Sequence, residues 1–300
     1  MTKVFNHTEL KKLFKPKDKS SGEENGQVTI IGGSELFHGA PLLALKVASR
    51  IVDMVFFTSP QRSVGGVAER LKSKLLSFIW VPWEDTDAYI EKSDAVLIGP
   101  GLMRFTSESQ NPNGKIPALP AGRQMANDEE GKRTRETTKK FLKKFPNKRW
   151  VIDAGSLQVI EPDILPEGCI VTPNRKEFEL LFNERVKERE SKRVEEIVKK
   201  KAEHFSCTIV LKGPETIVAS PEEAVIVKGG NPGLTKGGTG DVLAGLTSAL
   251  LAKNDPFLAA SSASYIEKAA ADELYKKVGT NYNADDLANQ IPETFKNLLE

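Results

Sequence analysis

Asn231-Pro-Gly-Leu-Thr-Lys-Gly-Gly-Thr-Gly-Asp-Val-Leu-Ala-Gly245 is a glycine-rich loop that runs straight into an apolar helix and carries one carboxylate, Asp241, at the junction. Gly237, Gly238 and Gly240, with Thr239 among them, permit backbone conformations closed to residues with a Cβ, so successive N–H groups can point together at an anion. The helix dipole adds its positive end at the same place. A resting phosphate would repel Asp241 there. The carboxylate therefore asks for a task that only a base performs, accepting a hydroxyl proton as that oxygen attacks phosphorus. The plainer alternative is a capped helix with a glycine turn, since Asp and Gly both serve caps.

Spacing excludes two commoner phosphate loops. No Gly-x-x-x-x-Gly-Lys-Ser/Thr occurs, and Gly238-Thr-Gly240 is followed three residues later by Leu243 where a dinucleotide fingerprint has Gly. Working outward from the loop, short apolar runs alternate with longer amphipathic ones. The runs predict strands at Val28–Ile31, Met54–Phe57, Phe78–Val81, Ala95–Ile98, Trp150–Ile152, Cys169–Val171, Thr208–Leu211, Thr216–Ala219 and Ala224–Val227. Between them, helices are expected over Pro41–Val52, Val64–Leu76, Thr134–Phe145, Glu177–Phe182, Val194–Phe205, Val242–Lys253 and Pro256–Val278. Such alternation implies an α/β fold, a mainly parallel central sheet with helices on both faces. Ligands of these sheets bind at the carboxyl ends of strands, where Gly32-Gly33, Gly99-Pro-Gly101, Asp153-Ala-Gly155, Pro173-Asn174 and Lys212-Gly213 all fall. The last two strands, joined by Ser-Pro-Glu-Glu, read as an antiparallel hairpin at the sheet edge.

Residues 1–27 read as a short starting helix and a flexible connection, and residues 28–300 as the catalytic domain. Within it, residues 104–133 are rich in Ser, Asn, Gly, Pro and charge and are expected to be a mobile surface insertion. The mixed charge between Glu184 and Lys201 reads as a solvated helix face.

Lys and Arg total 43 against 41 Asp and Glu, a net charge of +2, too balanced for nucleic acid or membrane binding as the main task. Cys169 and Cys207 are the only cysteines and His occurs three times, which supports neither a disulfide framework nor a zinc site. With no apolar run long enough for a signal peptide or membrane span, the expected location is cytoplasmic.

The loop resembles the Gly-x-Gly-Asp anion hole of the ribokinase-like superfamily, and the full string from Gly230 to Gly245 is similar to the ADP/ATP-dependent NAD(P)H-hydrate dehydratases, enzymes of nicotinamide cofactor repair. Five further elements match in the family's order. They are Val28-Thr-Ile-Ile-Gly-Gly-Ser34 with His38-Gly-Ala40, Gly99-Pro-Gly-Leu102, Asp153-Ala154, Thr172-Pro-Asn-Arg-Lys-Glu177 and Lys212-Gly-Pro-Glu-Thr216. Two departures stand out: Asn174 replaces the family His, keeping hydrogen bonding without the proton, and Met103 replaces a Gly.

The resemblance implies a ribokinase-like fold without a separate lid domain. It implies ADP or ATP as co-substrate, Mg²⁺ as counter-ion and the hydrated cofactors NADHX and NADPHX as substrates. Asp241 would be the catalytic base, with Gly237, Gly238, Thr239 and Gly240 holding the transferred phosphoryl. Lys212, Gly213, Pro214, Glu215, Thr216 and Gly240 would contact the nucleotide, and Ala40, Gly101, Asn174 and Asp241 the hydrated dinucleotide. Asp153 reads equally as a metal- or phosphate-side carboxylate and as a turn cap. The family also implies a homo-oligomer, commonly a tetramer; many of its members are fused to an epimerase domain of roughly 200 residues, more than this length can hold beside the catalytic domain, so any NAD(P)HX epimerase is expected on a separate chain. The main alternative is a ribokinase-like kinase of a vitamin precursor or sugar; a nucleotide sensor without turnover is a third.

Overall fold

The apolar runs become one ten-stranded sheet. The computed structural model describes residues 3–71, 77–105, 121–186 and 191–300. Its strands are β1 (Lys3–Val4), β2 (Gln27–Ile31), β3 (Met54–Thr58), β4 (Ile79–Trp80), β5 (Ala95–Ile98), β6 (Arg149–Ile152), β7 (Ile170–Val171), β8 (Thr208–Leu211), β9 (Thr216–Ala219) and β10 (Ala224–Val227). The helices are α1 (Gly39–Ala48), α2 (Arg62–Leu71), α3 (Thr86–Lys92), α4 (Ala121–Lys144), α5 (Ala154–Leu157), α6 (Arg175–Phe182), α7 (Ser191–His204), α8 (Thr239–Leu251), α9 (Pro256–Val278) and α10 (Ala284–Leu299). Strand order is β1-β10-β9-β8-β7-β6-β5-β2-β3-β4, and only β9 runs against its neighbours.

Both faces of the sheet are covered, so the strands are apolar on both sides. Along β5, Ala95 and Leu97 join one buried cluster while Val96 and Ile98 join the other; Val210 against Ile209 and Leu211 in β8 divides in the same way. The first cluster packs under α1, α8, α9 and α10, and the second gathers Phe141, Leu142, Phe178 and Val198 from α4, α6 and α7. Helix α8 is buried from Val242 to Leu251, between α1, α9 and strands β5 and β6.

From β2 the chain proceeds to β3 and β4 on one side, whereas β5, β6, β7 and β8 extend on the other. This reversal opens a crevice at the carboxyl ends of β2 and β5, the place where such sheets bind ligands. All ten strands lie in this one sheet, and among the described residues no second sheet forms a lid.

Several boundaries differ from the sequence reading. The hairpin β9–β10 is not at the sheet edge, because β1 pairs parallel with β10 outside it. Helix α4 begins at Ala121, so the segment expected as an insertion is helical from there on, while residues 106–120 lie outside the described residues. Residues 72–76 of the second expected helix and residues 187–190 of the charged run lie outside them as well. The starting helix is a 3-10 turn, His7–Lys12, and α3, α5 and α10 are elements that periodicity did not reveal.

Candidate active site

Helix α8 begins where the glycine loop ends. Its N-cap, Gly238, has φ of 96°, a conformation that strains any side chain, and a Cβ there would meet Leu43 at 2.5 Å and Ala284 at 2.8 Å. Thr239 Oγ1 lies 2.7 Å from the Leu234 carbonyl and 2.9 Å from that of Lys236, clasping the loop to the helix. Gly240 stands beside the ammonium of Lys212, which a Cβ at that position would approach to 3.3 Å. Asp241 follows in the first turn, half-buried.

Three strand ends supply the groups facing it. Lys212, directly after β8, places Nζ 3.0 Å from Asp153 Oδ1 and 3.7 Å from Glu177 Oε2. Asp153 follows β6, and its Oδ1 also accepts from Thr172 Oγ1 at 2.7 Å. Glu177 is fixed by a capping box: its Oε2 accepts from the Asn174 N–H at 2.8 Å, while Asn174 Oδ1 accepts from the Glu177 N–H at 3.1 Å. Gln158 Nε2 donates to the other carboxylate oxygen at 3.2 Å.

One ammonium thus pairs with two carboxyls, and the charge of Asp241 acts on it as well. Burial alone would lower the pKa of Lys212, but the charges of Asp153 and Glu177 and the hydrogen bond it donates to Asp153 hold it above its ordinary value. Burial, with the Asp153 charge added, pushes Asp241 up to about 7 against the pull of Lys212. Glu177 is raised by burial and lowered by Lys212. A carboxyl near neutrality at a helix start is suited to trading a proton with a reacting hydroxyl.

Beside this cluster lies a cavity of about 620 Å³, whose walls include Asn174, Lys212, Gly213, Pro214, Thr216 and Gly240. Most of the sequence-selected nucleotide residues therefore converge. Glu215 does not: it is exposed and lies 3.7 Å from Lys228. Gly237 is not on these walls either, and a Cβ there would have no atom within 4 Å. Thr239 lines the cavity, with its hydroxyl committed to the loop.

Two residues that the sequence reading missed also line it, Glu267 and Lys268 of α9. Lys268 Nζ donates to the carbonyls of Pro214 at 2.8 Å, Gly229 at 3.0 Å and Gly213 at 3.2 Å, tying two loops of the cavity to one helix. Asp272, one turn on, takes the Gly230 N–H at 2.9 Å and Asn231 Nδ2 at 3.2 Å. The signal was present in the sequence, because Glu267 stands at a core position of α9 among Ala260, Ala263, Ala270 and Leu274 at helical spacing.

Ala40 and Gly101 lie at the crevice between β2 and β5, outside the large cavity. Gly101, at φ of 71°, admits the Phe37 carbonyl to 2.2 Å of where a Cβ would be, with Pro41 of α1 at 3.0 Å. Met103 is buried and lines a small cleft there with Gly33, Ser34 and Thr134. Asn174 lines the large cavity and not this cleft, and its Oδ1 caps α6.

Among the described residues no group of three or more His, Cys, Asp or Glu side chains is arranged to hold a metal ion by itself. Mg²⁺ needs no such cage when phosphates supply most ligands, and one or two carboxylates suffice. The residues fit that requirement: Asp153 Oδ1 takes both protein donors, which leaves Oδ2 for the ion.

Comparison with known proteins agrees with this geometry. The chain is 35% identical over 296 residues to the bifunctional NAD(P)H-hydrate repair enzyme of Methanocaldococcus jannaschii, covering 96% of this chain and 52% of that protein. It is 31% identical over 228 residues to the ADP-dependent (S)-NAD(P)H-hydrate dehydratase of Nitrosopumilus maritimus, covering 70% and 68%. The chain thus spans about half the length of the bifunctional relatives. In fold it is similar to the ADP/ATP-dependent NAD(P)H-hydrate dehydratase of Bacillus subtilis co-crystallised with ATP/Mg²⁺, with a TM-score of 0.74 at 21% identity over 99% of both chains. The family model for NAD(P)H-hydrate dehydratase matches residues 28–293, and the chain belongs to that family.

Proposed function

We propose that the chain dehydrates NADHX and NADPHX to NADH and NADPH at the expense of ADP or ATP. A hydrated nicotinamide carries its hydroxyl on a carbon beside the ring nitrogen. Hydroxide leaves badly, whereas phosphate leaves well. In the first step Asp241 accepts the hydroxyl proton as the oxygen attacks the terminal phosphorus of the nucleotide, releasing AMP from ADP, or ADP from ATP. In the second the ring nitrogen's lone pair expels phosphate, and loss of a proton from the neighbouring ring carbon restores the dihydropyridine. The observation that carries this reading is Asp241 itself, raised to about 7 at the start of α8, beside Gly240 and Lys212.

The remaining roles follow from chemistry at each position. Backbone N–H groups of residues 238–240 would bind the transferred phosphoryl, and Lys212 would balance charge as it moves. Gly213, Pro214 and Thr216 would line the nucleotide, while Ala40, Gly101 and the Asn174 amide would contact the hydrated ring side. Asp153 would hold Mg²⁺, which when bound neutralises phosphate charge, leaving Asp241 free to act as the base. Action in one pathway with an epimerase of the hydrate and assembly as a homo-oligomer belong to the same proposal.

Incubation with ADP, Mg²⁺ and hydrated NADH tests it. Recovery of absorbance at the dihydronicotinamide band, with one AMP formed per NADH, is the expected result. Transfer of phosphate to a vitamin precursor or sugar without that recovery would make the chain a kinase. Nucleotide binding with neither reaction would make it a sensor.

A further inference from the structure

Glu267 sits in the middle of α9 on the wall of the 620 Å³ cavity, with 7% of its surface exposed. Its stripe mates Ala260, Ala263, Ala270 and Leu274 are buried core. A carboxyl in such a stripe has to be paired or neutral. It is not paired: among the described residues Glu267 makes no ion pair and no hydrogen bond. The ammonium of Lys268 is turned to three loop carbonyls, and that of Lys212 is held by Asp153 and Glu177.

The surroundings favour the neutral form. Burial pushes the carboxyl up to about 8, with Lys268 and Lys212 pulling down and Asp153 pushing up. Tyr282, ahead of α10, also senses it. Strands β8, β9 and β10 carry no charged residue and α8 carries only Asp241. On the 3-10 turn His7–Lys12, Glu9 pairs with Lys12 and Lys11 is exposed; on α10, Asp285 pairs with Lys46, Asp286 accepts from the Asn283 N–H, Glu293 accepts from Gln290 and Lys296 pairs with Glu300. A neutral carboxyl can donate a hydrogen bond, which a carboxylate cannot.

We propose that Glu267 is a nucleotide contact that works as a neutral acid, its carboxyl O–H donating to an acceptor oxygen of the nucleotide, so that nucleotide binding is coupled to one proton. The proposal rests on reading the cavity as the nucleotide site. Ionised, Glu267 would add one more negative charge to Asp153, Glu177 and Asp241 facing the phosphate chain. Protonated, it removes that repulsion and supplies a donor.

Calorimetry with ADP and Mg²⁺ over about pH 6.5 to 9.5 tests the coupling. Wild-type affinity should be flat up to about pH 7.5 and weaken about tenfold per pH unit beyond about pH 8, because binding then requires proton uptake. At about pH 9 the binding heat measured in buffers of different ionisation enthalpy should reveal uptake approaching one proton per ADP. Glu267→Gln keeps a donor and cannot ionise. It should match wild-type affinity within about threefold at pH 7 and bind about tenfold more tightly than wild type at about pH 9. A Glu267→Gln profile that falls in step with wild type, or wild-type binding without proton uptake, overturns the role of Glu267 and leaves the nucleotide site standing. Absence of ADP binding by both proteins at every pH overturns the site and the proposal together.

Discussion

Asp241 is unstable where it is useful. Burial and the neighbouring Asp153 raise it from an ordinary 3.8 to about 7, so between those values the folded protein binds more protons than the unfolded chain. The associated stability is complete below pH 3.8, is lost as pH rises towards 7, and changes no further above that. Asp241→Asn should therefore raise the melting temperature at pH 8 and do so much less at pH 4, while lowering turnover by ~10²–10⁴ and leaving ADP affinity within a few-fold. Equal melting shifts at both pH values would mean that the carboxyl is not strained. In the wild type, kcat/KM should rise with a midpoint near 7 as the base ionises. Asn174 makes a different prediction, because its oxygen caps α6. Asn174→Ala should cost about 1 kcal/mol in chemical denaturation whatever it does to the substrate, and Asn174→Asp should recover that loss.

Helices α1 and α8 touch backbone to backbone at one point. A Cβ on Gly245 would lie 2.4 Å from the Ala44 carbonyl oxygen and 2.6 Å from its Cα. Gly245→Ala must push α1 away from α8, and α1 starts at the residues beside the Gly101 turn. Overpacking of this kind costs about 1–3 kcal/mol, and urea denaturation that shifts by less than a few tenths would mean that α1 yields freely. Elements were legible in the sequence to the degree that their burial is local. Ala95–Ile98, Thr208–Leu211 and Thr216–Ala219 are strands over the residues that periodicity predicts, because they are buried on both faces, and Ala224–Val227 is one as well although Ala224 and Ile226 are half-buried. β1 has two exposed residues and exists only through its partner β10. α10 was hidden by Pro292 in its interior, although Asn283 and Asp286 form a capping box at its start.

At the scale of the molecule, the glycine loop, Asp241 and Lys212 were readable because each is a short local motif. The helical spacing of α9 marks Glu267 as buried, but that Glu267 and Lys268 line this cavity follows from α9 crossing behind β8 and β9, which no local pattern announces. The same limit affects the boundary at residue 28, where the expected catalytic domain and the family match both begin. Packing argues for an earlier start. Phe5, Leu10 and Leu13 are 8%, 0% and 4% exposed within the cluster that holds α8, α9 and α10, and the Phe14 N–H donates to Asn254 Oδ1 at 2.7 Å. β1 covers the open edge of β10, which would otherwise present unpaired backbone groups. Burying three such side chains stabilises by about 1.5–3 kcal/mol each, an upper estimate that approaches a whole domain's net stability of about 5–15 kcal/mol. Deleting residues 1–14 should therefore yield protein that unfolds at much lower urea concentration and self-associates through the β10 edge, even though every active-site residue is retained. If the shortened chain instead melts within a few degrees of the full one and stays monodisperse to the same concentration, residues 3–13 are an appendage, and the folded unit begins where the family match does.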